Sequence, residues 1–162
     1  MIGLPPREAR FLRVEMRALK VKCSKISLLT VQRSSQWDRR MVYILVANKT
    51  YKYPSGRRSR IIYIGTTGKG AGRPATSAVE KASEAFTELR GVKKIEVHLA
   101  TCRGRKRMKT WEHLESALLA TFTGLHFRLP IYNNRKGSID YMEDIRFFRQ
   151  KALKKLVLQF EV

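Results

Sequence analysis

The chain predicts an α+β domain: a small, mainly antiparallel three-stranded sheet flanked by helices, with extensions at both ends. Three observations lead there. Two continuous apolar, β-branched runs, residues 41–47 and 60–65, read as buried strands, and residues 94–100 alternate as a half-buried strand does. Between and after them lie segments with helical apolar spacing. The chain has 162 residues, 43% of them hydrophobic, which suits one core rather than two.

Taken in order, residues 1–36 form a basic N-terminal extension with eight Lys/Arg and two Glu. Its apolar content, Phe11, Leu12, Val14 and Leu19 among others, is too high for a disordered tail. A short helix near 6–19 and a strand near 26–32 are expected there. The core spans 37–136. The runs 41–47 and 60–65 form a hairpin, and Asn48 to Ser59, with the turn signal Tyr53-Pro54-Ser55-Gly56, forms its long tip. Arg57, Arg58 and Arg60 near that tip are candidates to grip phosphate. A glycine-rich loop follows Gly65, but Gly70 after Lys69 breaks the phosphate-loop pattern, and the glycines at 68, 70 and 72 do not fit GxGxxG.

A helix is expected from Ser77, capped by its hydroxyl with Glu80 three residues on, and ended by Gly91. Val79, Ala82, Phe86 and Leu89 form its apolar stripe. In the strand 94–100, Ile95, Val97 and Leu99 alternate with Glu96 and His98. The densest charge run comes next: Arg103, Arg105, Lys106, Arg107 and Lys109 lie within eight residues. A second helix, capped by Thr110, runs to Gly124. Residues 137–162 supply a C-terminal helix packed on the core, beginning after Ser138, with a stripe of Met142, Ile145, Phe148, Ala152 and Leu156. Its acidic start and basic end suit the helix dipole.

Charge narrows the partner. Lys plus Arg number 34 against 13 Asp plus Glu, a formal charge of +21. Such a surface repels itself and attracts polyanions. Nucleic acid is the expected partner, with the 103–109 run as a phosphate-binding loop. Cys23 and Cys102 stand far apart, and with three scattered histidines they make no zinc site; both read as reduced thiols of an intracellular, cytoplasmic protein. No apolar run has the ~18 residues of a membrane span.

One acidic residue is out of place. On a wheel of about 100° per residue, Trp111, Leu114, Leu118, Leu119, Phe122 and Leu125 share one face of the second helix, and Glu115 falls among them, with His113 opposite. An inward carboxylate is costly unless it is paired with a cation or binds a metal. An ion pair with an arginine and a metal site both satisfy that requirement.

The order of Tyr43 in Val42-Tyr43-Ile44, Tyr63-Ile64-Gly65, Arg73, Glu115 and Pro130-Ile131-Tyr132-Asn133 resembles the GIY-YIG nuclease superfamily over about residues 40–135. The resemblance implies a Mg²⁺- (or Mn²⁺-) dependent endonuclease of double-stranded DNA. Glu115 would be its metal ligand, Arg73 its phosphate clamp and Asn133 a brace. It departs from the family in the single Val42 before Tyr43, in a longer stretch between the tyrosine motifs, and in having no histidine from Ala75 to Lys81. The base or positioning role then falls on Tyr43 or Tyr63, helped by Lys69. A tyrosine near a metal and arginines is eased towards phenolate, so Tyr43 is the expected base and Tyr63 the positioning group.

The chain is short for a homing enzyme or a repair excision subunit, so a restriction-type or mobile-element nuclease fits best. Palindromic cutting would require a homodimer, because one site cuts one strand. The alternative is a non-catalytic DNA- or RNA-binding module that keeps the fold. A structural RNA-associated protein is the third class.

Overall fold

A computed structural model describes residues 40–68, 70, 72–134 and 144–161, all within one compact unit. The expected N-terminal helix and strand, Lys69, Cys23, and Ser138 to Met142 lie outside the described residues. The order is β1 (Met41–Lys52), β2 (Arg58–Thr67), α1 (Gly72–Glu88), β3 (Ile95–Ala100), α2 (Thr110–His126), a 3-10 turn (Ile145–Phe147) and α3 (Gln150–Leu158). The sheet is three-stranded and antiparallel, in the order β2-β1-β3. The protein is α+β, as expected.

β1 is central, and Met41 to Ala47 are all buried. This explains their continuous apolar run, because a strand covered on both faces has no polar side. Val42, Ile44 and Val46 face α2 and α3, joining Leu114, Leu118, Phe122, Leu153 and Val157. Tyr43, Leu45 and Ala47 face α1, with Ile62, Ala85 and Tyr132. The sheet is thus the middle of three layers.

Six expectations are corrected. The hairpin tip is short: β1 and β2 extend to Lys52 and from Arg58, so most of the added length is ladder, and only 53–57 turns, with Gly56 at φ 84°. Next, α1 begins five residues before Ser77. Pro74 sits in its first turn, where the missing N–H costs nothing.

The two bulky members of the α1 stripe, Val79 and Phe86, also face outward. Val79 and Phe86 are 52% and 51% exposed, while Pro74 and Ala85 are buried and Ala78 and Leu89 pack inward. Small residues let the helix lie close to the sheet, and that favours the alanine row over the bulky one. Val97 on the edge strand β3 is likewise 41% exposed rather than buried.

The C-terminal helix is broken. Asp144 is buried, Ile145–Phe147 is a 3-10 turn, Phe148 is extended, and α3 starts only at Gln150. Its inward row is Leu153 and Val157, with Phe160 beyond, so Ala152 is exposed. Finally, Thr110 makes no capping bond and is the first residue of α2, with Lys109 at the cap position. No helix among the described residues is long and apolar enough to cross a membrane.

Candidate active site

The β1–β2 register places Tyr43 opposite Gly65 and Leu45 opposite Tyr63. Tyr43 and Tyr63 are therefore diagonal neighbours on one face, with ring centroids 6.0 Å apart and planes tilted by 36°. Gly65 makes this possible. A Cβ there would stand 2.6 Å from Tyr63 Cε1 and 2.8 Å from both Cζ and the hydroxyl of Tyr43. The ladder slips by one residue between Leu45 and Val46, which puts a bulge at Ile62 beside Tyr63.

Each tyrosine has a different setting. Tyr43 is fully buried, and its hydroxyl shares a 2.9 Å hydrogen bond with Ser77 Oγ of α1. The Tyr63 phenol is pushed well above its ordinary range, mainly by burial, with Tyr43 and Glu115 adding to the effect and Arg73 opposing it. Tyr63 therefore holds its proton, which suits a donor or positioning group.

Glu115 lies on α2 with its side chain largely covered. Burial pushes its carboxyl up to about 7; Arg73 pulls it down, and Glu112 pushes it further up. Arg73 is exposed on the first turn of α1 and acts on both Glu115 and Tyr63. Trp111, one turn before Glu115, packs on Gly68 just past the end of β2, and the Arg40 guanidinium lies 4.8 Å from the Trp111 ring centroid. These contacts fix the start of α2 against the β2–α1 loop and so set the position of Glu115.

Asn133 stands behind the site. Its Oδ1 accepts the Ile64 N–H at 2.9 Å and its Nδ2 donates to the Ile64 carbonyl at 2.7 Å, while Tyr132 N–H donates to the Ile62 carbonyl at 2.9 Å. The side-chain amide acts as a short extra strand on the outer edge of β2, holding the backbone on either side of Tyr63.

The fold thus gathers Tyr43, Tyr63, Arg73 and Glu115, with Asn133 bracing from behind. It does not gather the hairpin arginines. The tip lies about 25–30 Å along β1 from Tyr43. Arg57 forms a two-point pair with Glu161, at 3.1 and 2.6 Å. Arg58 donates to Thr50 Oγ1, and Arg60 donates to the Ala47 carbonyl and pairs with Glu96 at 3.3 Å. Arg57 and Arg60 are thus engaged by acidic partners, while Arg58 stays exposed beside Thr50. Arg103, Arg105, Lys106 and Arg107 stay exposed on the loop between β3 and α2, where Arg107 takes a left-handed φ of 61°; the exposed Lys109 pairs with Glu112 at 3.1 Å.

Sequence reasoning missed Ser77 as the partner of Tyr43, having spent it on a cap. Had the helix been started at Gly72, Ser77 would have fallen one turn from Arg73 on the same face. His113, opposite the apolar face of α2, is covered by Asp144 and Phe147, with Nδ1 to Oδ1 at 2.6 Å.

The residues fit a magnesium ion. No group of three or more His, Cys, Asp or Glu side chains converges among the described residues. A single carboxylate is nonetheless a donor set Mg²⁺ uses, because it keeps water and takes substrate phosphate oxygens for the rest. Glu115, whose burial is only partly offset by Arg73, is short of positive charge. Comparison with family models, with curated proteins and with solved structures found no match to this chain.

Proposed function

We propose that this protein is a Mg²⁺-dependent (or Mn²⁺-dependent) endonuclease that hydrolyses phosphodiesters of double-stranded DNA, of restriction or mobile-element type. The observation that carries the reading is Glu115: a covered carboxylate raised to about 7, set beside an exposed arginine and a packed pair of tyrosines. A structural ion pair would hold such a carboxyl low rather than high. The GIY-YIG-like order of the same residues supports it as well.

Each side chain then has a task. Glu115 would hold the metal, which supplies positive charge to the phosphate and the leaving oxygen when bound. Arg73, exposed on the first turn of α1, forks onto the non-bridging oxygens and clamps the scissile phosphate. Tyr43, acting as the phenolate, takes the proton from the attacking water and becomes the phenol, with the Ser77 hydroxyl donating to its oxygen. Tyr63 keeps its proton and donates a hydrogen bond to the water or to a phosphate oxygen. Asn133 positions Tyr63 through the backbone of Ile64. The exposed 103–109 loop supplies sequence-independent affinity.

The test is incubation of supercoiled and linear duplex DNA with the full chain, in Mg²⁺ or EDTA, beside Glu115→Gln. Mg²⁺-dependent products lost in the variant are expected. Tight, salt-sensitive binding without cutting on varied DNA would instead favour a binding module that keeps the fold.

A further inference from the structure

A second cleft lies apart from the tyrosine site. The β3–α2 loop, the first turn of α2 and the 3-10 turn enclose about 390 Å³, a size within the usual ~300–1,000 Å³ of small-ligand sites. Three kinds of wall meet there. Arg103 and Arg105 bring positive charge and make no ion pair among the described residues. Met108, Phe147 and Phe148 bring apolar surface, and Phe147 is 44% exposed. His113 completes the lining.

His113 is held from behind. Its Nδ1 lies 2.6 Å from Oδ1 of Asp144, which is 1% exposed. The other oxygen, Oδ2, is buried with no hydrogen-bond partner among the described residues. The contact with that carboxylate fixes the ring through Nδ1 and turns the other nitrogen, Nε2, away from it. The Phe147 ring centroid sits 5.2 Å from that of the imidazole with the planes tilted by 56°, so the Phe147 face and the imidazole meet as an angled corner, one side apolar and the other polar.

We propose that this cleft takes one unstacked nucleotide of the strand gripped by the 103–109 loop. Its phosphate lies on Arg103 and Arg105, its base lies against Phe147 and Met108, and a polar group on base or sugar reaches Nε2 of His113. A bare anion would leave the aromatic wall unused, and an apolar ligand would leave the guanidinium pair unused. The inference rests on the nucleic-acid-binding part of the proposed function and not on cutting.

The test uses the full chain in EDTA, so that cleavage plays no part. Fluorescence anisotropy would compare a short oligothymidylate with a strand of equal length made of abasic sugars, which carries the same phosphates. The base-bearing strand should bind about tenfold more tightly, the scale of one aromatic stack. Phe147→Leu, which keeps bulk but removes the ring, should bring that ratio near one and leave the abasic strand unchanged. Arg103→Gln with Arg105→Gln should weaken both strands and lower the salt slope by about 1.4.

Two duplex arms identify the source of the nucleotide. Preference for a duplex with one unpaired thymidine over a fully paired one assigns an extruded base; absence of that preference, with the single-strand ratio intact, assigns a free strand. Equal binding of base-bearing and abasic strands by the wild-type chain overturns the proposal, as does a ratio that survives Phe147→Leu. Failure of Mg²⁺-dependent cutting leaves the ratio untouched, so the two readings fail separately.

Discussion

Replacing Glu115 with glutamine should stabilise the metal-free protein at alkaline pH and leave it unchanged in acid. The carboxyl moves from 4.5 when unfolded to about 7 when folded, so the native state binds the proton more tightly. Its contribution is therefore fully present below pH 4.5 and is lost as pH rises through about 7. The rise of 2.5, at ~1.36 kcal/mol per unit, makes the charged side chain cost about 3 kcal/mol at pH 8.5. Glutamine has nearly the same shape and never carries that charge. Urea unfolding in EDTA should then show the two proteins equal near pH 4 and the variant about 3 kcal/mol more stable at pH 8.5. Added Mg²⁺ should stabilise the wild-type chain at pH 8.5 and not the variant. If the variant is less stable at pH 8.5, the pair with Arg73 outweighs burial, and Glu115 is a structural ion-pair partner rather than a carboxylate awaiting a cation.

Other substitutions test the surrounding frame. Gly65→Ala drives a Cβ into both tyrosine rings and should cost ~1–3 kcal/mol by thermal unfolding, with loss of cutting. Asn133→Ala strands the N–H and carbonyl of Ile64 and should cost ~1–3 kcal/mol in urea, with a matching drop in cleavage rate. Ser77→Ala removes the partner of the Tyr43 hydroxyl; it should cost about 1 kcal/mol of stability and slow cleavage, whereas an unchanged cleavage rate would show that this bond does not position Tyr43 for the reaction. Arg105→Gln should reduce the slope of duplex affinity against salt by ~0.9, while Arg57→Gln, already engaged by Glu161, should leave it nearly unchanged.

The strands were legible because β1 is buried on both faces, as its continuous apolar run requires, and because β3 alternates in sequence, although its burial follows that pattern at Ile95 and Leu99 and not at Val97. Glu115 was legible for the opposite reason: a carboxylate on an apolar face breaks its helix's own pattern. The orientation of α1 was not, because periodicity weighs large side chains, whereas the sheet accepted the helix through Pro74, Ala78 and Ala85 and left Val79 and Phe86 outside. The break before α3 was equally hidden. Ile145, Phe148 and Leu156 do pack against the core, as a continuous stripe would, but the fully buried row of α3 is Leu153 and Val157, and Ala152 is exposed. The pairing of Arg60 and Arg57 was not legible, because their acidic partners, Glu96 and Glu161, are 36 and 104 residues away in sequence.

The two edges of the sheet are unequal. The outer rim of β2 is occupied by Tyr132, by the Asn133 amide and by the Phe160 carbonyl, which accepts the Arg60 N–H at 3.0 Å. β3, carrying Glu96, Val97 and His98, is the outer strand on the other side. A ladder with one sealed margin cannot propagate. If two molecules meet strand to strand through β3, each spends its one open margin among the described residues, and growth stops at a twofold pair instead of a fibre.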